Sequence, residues 1–357
     1  MKAQRIADLY SDYLLASFGA TTATGLSELL EGEVSHDQVT RYLAGTKKTA
    51  SDLWRTVKSF VREVQAEAGV LILDDSIEEK PYTDENDIVC WHYDHSKDRL
   101  LKGINFLTAL YSSQGLSVPV GFHLVAKTET YLDPKTQQEK RRSPVSKNTV
   151  GQELIKQAVR NRIPFRFVLF DVWFASAETM LFIKHKQHRD FICPLRTNRK
   201  VTLSKADKQQ GRYVRVDTLE LEAQATREIY LEGVDFPLVL VKQVFTNEDG
   251  SVGIRYLVCS DTTWSFDDVT TTYHKRWGVE CYHKSLKQNV SLAKSPTQTV
   301  TTQTNHFFAA LCGFIKLERL KMKTQLNHFT LKSKLYLNAL HSAFATLRAL
   351  TPRQGPA

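Results

Sequence analysis

The sequence predicts an α/β fold, and three observations carry that prediction. Two apolar runs, Val70-Leu71-Ile72-Leu73 and Phe165 to Phe170, each end in an aspartate, Asp74 and Asp171. Continuous apolar runs of that length read as buried strands that stop at a polar site. Amphipathic helical stretches alternate with these strands, and a strand-rich block over residues 191–263 interrupts the alternation. Helical periodicity rules both flanks, which gives an expected order of parts. Residues 1–65 form a helical N-terminal region, 66–190 the first part of the core and 191–263 a β-rich insertion. Residues 264–357 then complete the core and add a basic helical C-terminal region.

Each element follows from local pattern. Ala3 to Ser17 places Ile6, Leu9, Tyr10, Tyr13 and Leu14 at helical spacing. Gly25 to Leu30 is a short helix. A turn at Glu31-Gly32-Glu33-Val34 leads to Ser35 as N-cap of a second helix, His36 to Leu43, which Gly45 ends. Two short helices across a glycine-bearing turn suit a helix-turn-helix, with Arg41 beside His36, Gln38 and Thr40 on or near the recognition helix. They equally suit a plain helical subdomain. Lys102 to Ser112 and Val118 to Lys127 read as strands joined at Ser113-Gln114-Gly115. The polar stretch from Asp133 to Thr149, with Lys140-Arg141-Arg142, reads as an exposed loop. Val150 to Arg160 and Ala175 to Gln187 read as helices. Strands are expected at Phe191–Leu195, Lys200–Leu203, Tyr213–Leu221, Ile229–Leu231, Pro237–Thr246 and Gly253–Ser260, the last two joined by the hairpin signal Asn247-Glu248-Asp249-Gly250. Ser265-Phe266-Asp267-Asp268 resembles a helix cap, and one long helix is expected from Val269 to about Val290. Two more are expected, Thr302 to Lys323 and Thr330 to Leu350, the first supporting the Glu280 helix from the core.

Composition narrows the partners. With 357 residues the chain can bury one large core and smaller modules. No run of about 18 uncharged apolar residues is present, so no membrane span is expected. The start lacks an apolar signal core. The five cysteines, Cys90, Cys193, Cys259, Cys281 and Cys312, are scattered, odd in number and without a Cys-x-x-Cys pair. That argues against a disulfide framework and a zinc finger, and fits a cytoplasmic protein. The net charge is +9, and its placement matters more than its size. From Cys281 onward Glu318 is the only acid, against lysines and arginines running from Lys284 to Arg353. So one-sided a stretch favours a polyanion, and the commonest one in the cytoplasm is nucleic acid.

Chemistry concentrates at the two strand-terminal aspartates and a third acid. Carboxylates at the carboxyl ends of neighbouring strands make an oxygen-rich site suited to Mg²⁺ or Mn²⁺. Without a cation they repel one another. Tyr273, Arg276, Glu280 and Lys287 follow with two, three and six residues between them. On a continuous helix they fall within about 60° of one another and span about 21 Å. Val279, Tyr282, Leu286 and Val290 take the adjoining apolar face. The bland counterpart is a row of surface ion pairs such as Arg276 with Glu280.

Here the residues resemble a family. Tyr273-His-Lys-Arg276-Trp-Gly-Val-Glu280-Cys-Tyr-His-Lys-Ser-Leu-Lys287 resembles the Tyr-Arg-Glu-Lys signature of DDE insertion-sequence transposases, the bacterial cut-and-paste enzymes, at all four positions. Leu73-Asp74-Asp75-Ser76 is similar to the first-aspartate motif, with Ser76 in place of threonine. Phe170-Asp171-Val172-Trp173-Phe174 is similar to the second. The β-rich block falls where the family carries an insertion, and the likeness covers about residues 70–320.

The resemblance implies a ribonuclease-H-like catalytic core and a catalytic triad of Asp74, Asp171 and Glu280 holding two Mg²⁺ ions, with Mn²⁺ as substitute. Adjacent Asp74 and Asp75 point to opposite sides of a strand, and the family pattern favours Asp74 while leaving Asp75 open. It implies nicking at the element's terminal inverted repeats, hairpin formation and opening, and joining to target DNA. Tyr273, Arg276 and Lys287 would grip phosphates, with Lys284 and Arg41 adding DNA contacts. A base flipped out of the duplex needs an aromatic platform; Trp173, Trp264 and Trp277 are the candidates. Synapsis of two double-stranded ends implies a homodimer at the nucleoid. Rival readings are a ribonuclease-H-like nuclease that does not transpose, and an inactive or domesticated transposase that only binds DNA. A lesser signal, Trp91-His92-Tyr93-Asp94-His95, has the look of a zinc site but lacks ligands to close it.

Overall fold

The computed structural model describes residues 2–94, 97–134 and 136–350. Four helices open the chain: α1 (Lys2–Ala16), α2 (Ala23–Leu29), α3 (His36–Leu43) and α4 (Ala50–Val64). Strands follow as β1 (Val70–Glu79), β2 (Val89–Asp94), β3 (Arg99–Ser113) and β4 (Leu116–Leu124), then the small hairpin β5 (Glu129–Leu132) and β6 (Glu139–Arg142). After α5 (Lys147–Arg160) come β7 (Phe167–Phe170), α6 (Ala177–Leu181) with one π-helical turn, and β8 (Asp190–Leu195). The strand-rich block holds β9 (Lys200–Thr202), α7 (Lys205–Gln209), β10 (Val214–Arg215), β11 (Thr226–Leu231), β12 (Leu238–Thr246) and β13 (Val252–Cys259). Helices α8 (Phe266–His274), α9 (Trp277–Asn289), α10 (Val300–Thr324) and α11 (His328–Leu350) complete it. The protein is thus mixed α/β, with one large mixed sheet and helices towards both ends of the sequence.

Two compact units divide the chain: residues 48–282, and residues 1–47 with 283–357. The larger unit holds an 11-stranded sheet in the order β10-β9-β11-β12-β13-β8-β7-β1-β3-β2, with β4 also on β3. β1, β7 and β8 run parallel, while β3 is antiparallel to β1 and β4 to β3. Val70 to Leu73 and Phe167 to Phe170 are all buried, as a strand covered on both faces requires. Helix α4 packs on β4, and α5 packs on β3 and β4.

The smaller unit is helical. The predicted Ser35 cap is present as a full capping box with Gln38. α3 is pinned from α10, where buried Asn305 donates to the carbonyls of Leu43 and Gly45. His306 bridges the Tyr10 hydroxyl and the Leu292 carbonyl, each at 3.0 Å. Asn305 and His306 therefore tie helix ends together inside this unit.

The strand-rich block is continuous with the core sheet, because β13 pairs with β8 and carries β12 and β11 into it. Three local readings change. Tyr213 to Leu221 is a two-residue strand and a 3₁₀ turn, since its alternation covers too few apolar positions to hold an edge. The polar Asp133–Thr149 stretch contains β6, paired to β5 and tied by Arg142 to Glu129 at 3.0 Å. The long helix expected from Val269 is two helices that break at Lys275-Arg276.

One glycine shows how tightly β1 is held. An added Cβ at Gly103 in β3 would sit 2.2 Å from the Glu78 carbonyl oxygen of β1. Backbone cannot give way as a flexible side chain can. Gly103→Ala is expected to destabilise the protein by about 1–3 kcal/mol, read as a lower urea midpoint.

Candidate active site

Strand register builds the centre. In the parallel β1–β7 pair Leu73 lies opposite Phe170, so the next residues, Asp74 and Asp171, fall side by side where β7 ends; β1 does not stop at Asp74 as its sequence suggests but runs on to Glu79, because those residues stay paired with β3. Adjacent strands lie about 4.8 Å apart. Asp74 is 9% exposed. Burial first, then the neighbouring Asp171, push its carboxyl well above the ordinary range. Burial also raises Asp171, to about 6, against the opposing pull of the Trp173 amide. That amide donates to Oδ1 of Asp171 at 3.0 Å, so a tight turn fixes the carboxylate's direction. Asp75 has other partners: its Oδ2 accepts from Lys147 Nζ at 2.6 Å and from Asn105 Nδ2 at 2.9 Å.

The break between α8 and α9 brings the third acid in. Arg276 sits in the break, its side chain 19% exposed, and donates to Asp74 Oδ2 at 3.4 Å and Glu280 Oε1 at 2.9 Å. One guanidinium thus spans both acids, as its planar fork allows. Glu280 lies in the first turn of α9, where the positive end of the helix dipole favours a carboxylate. The buried residues Val279 and Tyr282 seat α9, and the Tyr282 hydroxyl meets Thr108 of β3 at 3.3 Å. Tyr273 is buried, and its hydroxyl donates to the Phe170 carbonyl at 3.4 Å. It braces the end of β7 rather than facing solvent.

The remaining sequence-predicted residues divide. Trp173, 48% exposed, follows Asp171 directly and stacks under Arg196, 4.5 Å from the guanidinium carbon to the ring centre. Together with Ser176, Leu195, Asn198 and Arg199 they line a cleft of about 320 Å³. Trp277, 62% exposed, opens α9 one residue after Arg276. Trp264 instead packs on Phe167 at 4.1 Å, the start of β7, about 13 Å along the strand from Asp171. The structure does not bring Trp264 to the carboxylates. Lys284, Lys287 and Arg41 belong to the smaller unit. Lys284 lies 5.2 Å over the Phe329 ring, and Arg41 is exposed on α3.

Sequence reasoning passed over Lys147, Asn105, Arg196 and Arg199. Asn105 carried a signal, a lone amide inside the apolar run of β3. The two arginines lie in the turn after β8, where nothing in their spacing marks them.

The donor set fits a hard divalent cation. It is all oxygen, and Asp171 raises the proton affinity of the buried Asp74 carboxyl beside it, a conflict that a cation removes. Among the described residues no three acidic, histidine or cysteine groups are gathered closely enough to cage an ion; Arg276 stands between Asp74 and Glu280. His92 and Asp94 lie on strand β2, with His92 buried. His95, which the zinc reading also needs, lies outside the described residues. No helix among the described residues is long and apolar enough to cross a membrane.

The chain matches two family models, the DDE superfamily endonuclease over residues 1–218 and the transposase DDE domain over residues 137–314. Among solved structures it is similar to the Drosophila P element transposase strand transfer complex, at 13% identity and a TM-score of 0.24. That likeness covers 48% of this chain, which spans about a third (33%) of the length of that transposase. It is also similar to endonuclease V from Bacillus subtilis, at 11% identity and a TM-score of 0.24, covering 63% of this chain and 81% of that one. No curated protein matches it. Since the first family model takes in more than half of the sequence, the chain belongs to the DDE superfamily of endonucleases.

Proposed function

We propose that this chain is a DDE transposase. On this reading it binds the terminal inverted repeats of an insertion sequence, cleaves the ends through a hairpin and joins them to target DNA, with a homodimer holding two ends. The observation that carries the reading is the side-by-side placement of Asp74 and Asp171, joined to Glu280 through Arg276. The strand order β4-β3-β1-β7-β8, with β1, β7 and β8 parallel, supports a ribonuclease-H-like core.

Asp74, Asp171 and Glu280 are the residues that would hold Mg²⁺. When bound, such ions activate a water or DNA 3′-hydroxyl and stabilise the leaving oxygen at phosphorus. The chain's own groups do the rest. Arg276 exchanges its carboxylate partners for a phosphate beside the cut, where a planar fork of donors matches two oxygens. Tyr273 holds the Phe170 carbonyl and so keeps Asp171 in place. The Asp171–Trp173 turn aims the carboxylate and sets Trp173 at the mouth of the cleft. Arg41, Lys284 and Lys287, in the smaller unit, are further candidates for contact with phosphates.

The test is a linear duplex carrying the element's own end, incubated with Mg²⁺ and either wild type or Glu280→Ala. Nicks at the end that need both the metal and Glu280 support the mechanism. Retarded mobility without any wild-type cleavage would leave an end-binding protein and overturn the enzyme reading.

The cleft makes a further expectation. A base stacked on an aromatic ring is held by about 1–3 kcal/mol, so Trp173→Ala is expected to slow hairpin formation roughly 5- to 140-fold. The first nick, which needs no extruded base, keeps its rate. Equal loss in both steps would assign Trp173 to packing.

A further inference from the structure

One strand pair reaches past the rest of the sheet. β12 and β13 stay paired out to Thr246 and Val252. β11 flanks β12 only over residues 238–241, and β8 flanks β13 only over residues 256–259. Residues 242–246 and 252–255 are therefore a two-stranded ribbon with no third strand beside it among the described residues. Two strands alone are marginal in water, so side chains have to brace them. Gln243 lies opposite Arg255 and Phe245 opposite Gly253, and directly opposed residues share a face. An added Cβ on Gly253 would strike the Phe245 ring. The bare glycine is thus what lets that ring lie across the ribbon, 5.4 Å from ring centre to the Arg255 guanidinium carbon.

The root of the ribbon packs on α8, and this contact carries Arg255 to the edge of the active site. Its guanidinium carbon is 6.0 Å from the centre of the Tyr273 ring, and that of Arg276 is 5.9 Å from the same centre. One buried ring separates two cations. They differ in what holds them. Arg276 is engaged by Asp74 and Glu280. Arg255 is exposed, and among the described residues it is held by rings, with no carboxylate paired to it. Ring contact uses the flat face of a guanidinium and leaves its in-plane N–H donors for oxygen. A cation seated this way meets an anion without first giving up an ion pair. Two cations set side by side repel each other until a polyanion spans them.

We propose that Arg255 is a second phosphate clamp, which grips the DNA strand beside the phosphate that Arg276 holds, with the Tyr273 ring setting their separation. This rests on the reading of the chain as a transposase and adds a residue to its DNA contacts. The ribbon and Phe245 hold the guanidinium in place, so a contact that positions the strand is made by a fixed group.

The test is retention of the element-end duplex by the full chain without metal, so that nothing is cut, at about 50 and 200 mM salt. Arg255→Ala is expected to bind more weakly and with a log–log salt slope flatter by about one. Its deficit against wild type then shrinks about 3- to 4-fold between the two concentrations. Arg255→Lys keeps the charge and is expected to keep the wild-type slope. Circular dichroism checks that both variants keep their fold. Single uncharged methylphosphonates placed in turn around the nick site locate the contact. Wild type is expected to lose affinity at one position to which Arg255→Ala has become indifferent. An Arg255→Ala protein with the wild-type slope, or one that senses every methylphosphonate as wild type does, overturns the clamp. Wild type still binds and cuts in those cases, so the transposase reading stands. A wild type that neither retains nor cleaves the duplex overturns that reading, and the clamp with it.

Discussion

Asp74→Asn, Asp171→Asn and Glu280→Ala are each expected to lower metal-dependent cleavage by at least about 10³-fold while leaving retention of element-end DNA within a few-fold of wild type. The asymmetry follows from position. Asp74 is buried and Asp171 half-buried, so on the proposed reading they serve chemistry rather than affinity. Asp75→Asn is the internal control. Its carboxylate is committed to Lys147 and Asn105, and about a tenfold loss or less is expected. If Asp75→Asn equals Asp74→Asn in effect, the assignment between the two adjacent acids is reversed. A second readout needs no DNA. In chelator, Asp74→Asn is expected to raise the melting temperature, because burial and the facing Asp171 both oppose an ionised carboxyl there. A site arranged for stability would show the opposite sign, since removing a satisfied buried carboxylate costs stability.

How much of this was legible in the sequence follows from the range of each signal. β1 runs on through Asp74 to Glu79, where Asp74-Asp75-Ser76 reads as a strand end. The two apolar runs that lead into Asp74 and Asp171 were legible, because a buried parallel strand needs an unbroken apolar run and Val70–Leu73 and Phe167–Phe170 supply it. That they are neighbours was not, since pairing of β1 with β7 depends on contacts across nearly a hundred residues. The helix holding Glu280 was legible from the apolar residues Val279, Tyr282, Leu286 and Val290, all of them buried. Its break was hidden, because Lys275 and Arg276 are good helix formers and the interruption comes from tertiary packing. That break takes Tyr273 off the Glu280 helix, so the one-face stripe does not exist as a continuous surface. The four residues keep their spacing, yet Tyr273 points to the Phe170 carbonyl and Arg276 to two acids. The merging of the strand-rich block into the core sheet was invisible for the same reason, as alternation marks a strand and never its neighbour.

Arg276 is where the competing roles of this site can be separated. Its guanidinium neutralises Asp74 and Glu280 in the free protein and, on the proposed reading, holds a phosphate during cleavage. Arg276→Ala is therefore expected to lower cleavage by about 10²- to 10³-fold and yet to bind Mn²⁺ more tightly, because a cation competing for the same carboxylates has been removed. Arg276→Lys should restore the metal affinity of wild type but little of the rate, since a single ammonium supplies charge without the fork that spans two acids or two phosphate oxygens. Calorimetric titration of Mn²⁺ into the three proteins without DNA reads the first effect, and single-turnover nicking reads the second. Weaker Mn²⁺ binding by Arg276→Ala would mean that the arginine orders the carboxylates for the ion rather than standing in its place. The two outcomes also differ for Glu280. If the guanidinium is a competitor, Glu280 is free to turn toward Asp74 once Arg276 is gone; if it is an organiser, Glu280 drifts into solvent from its 43% exposed position and the site loses its third acid.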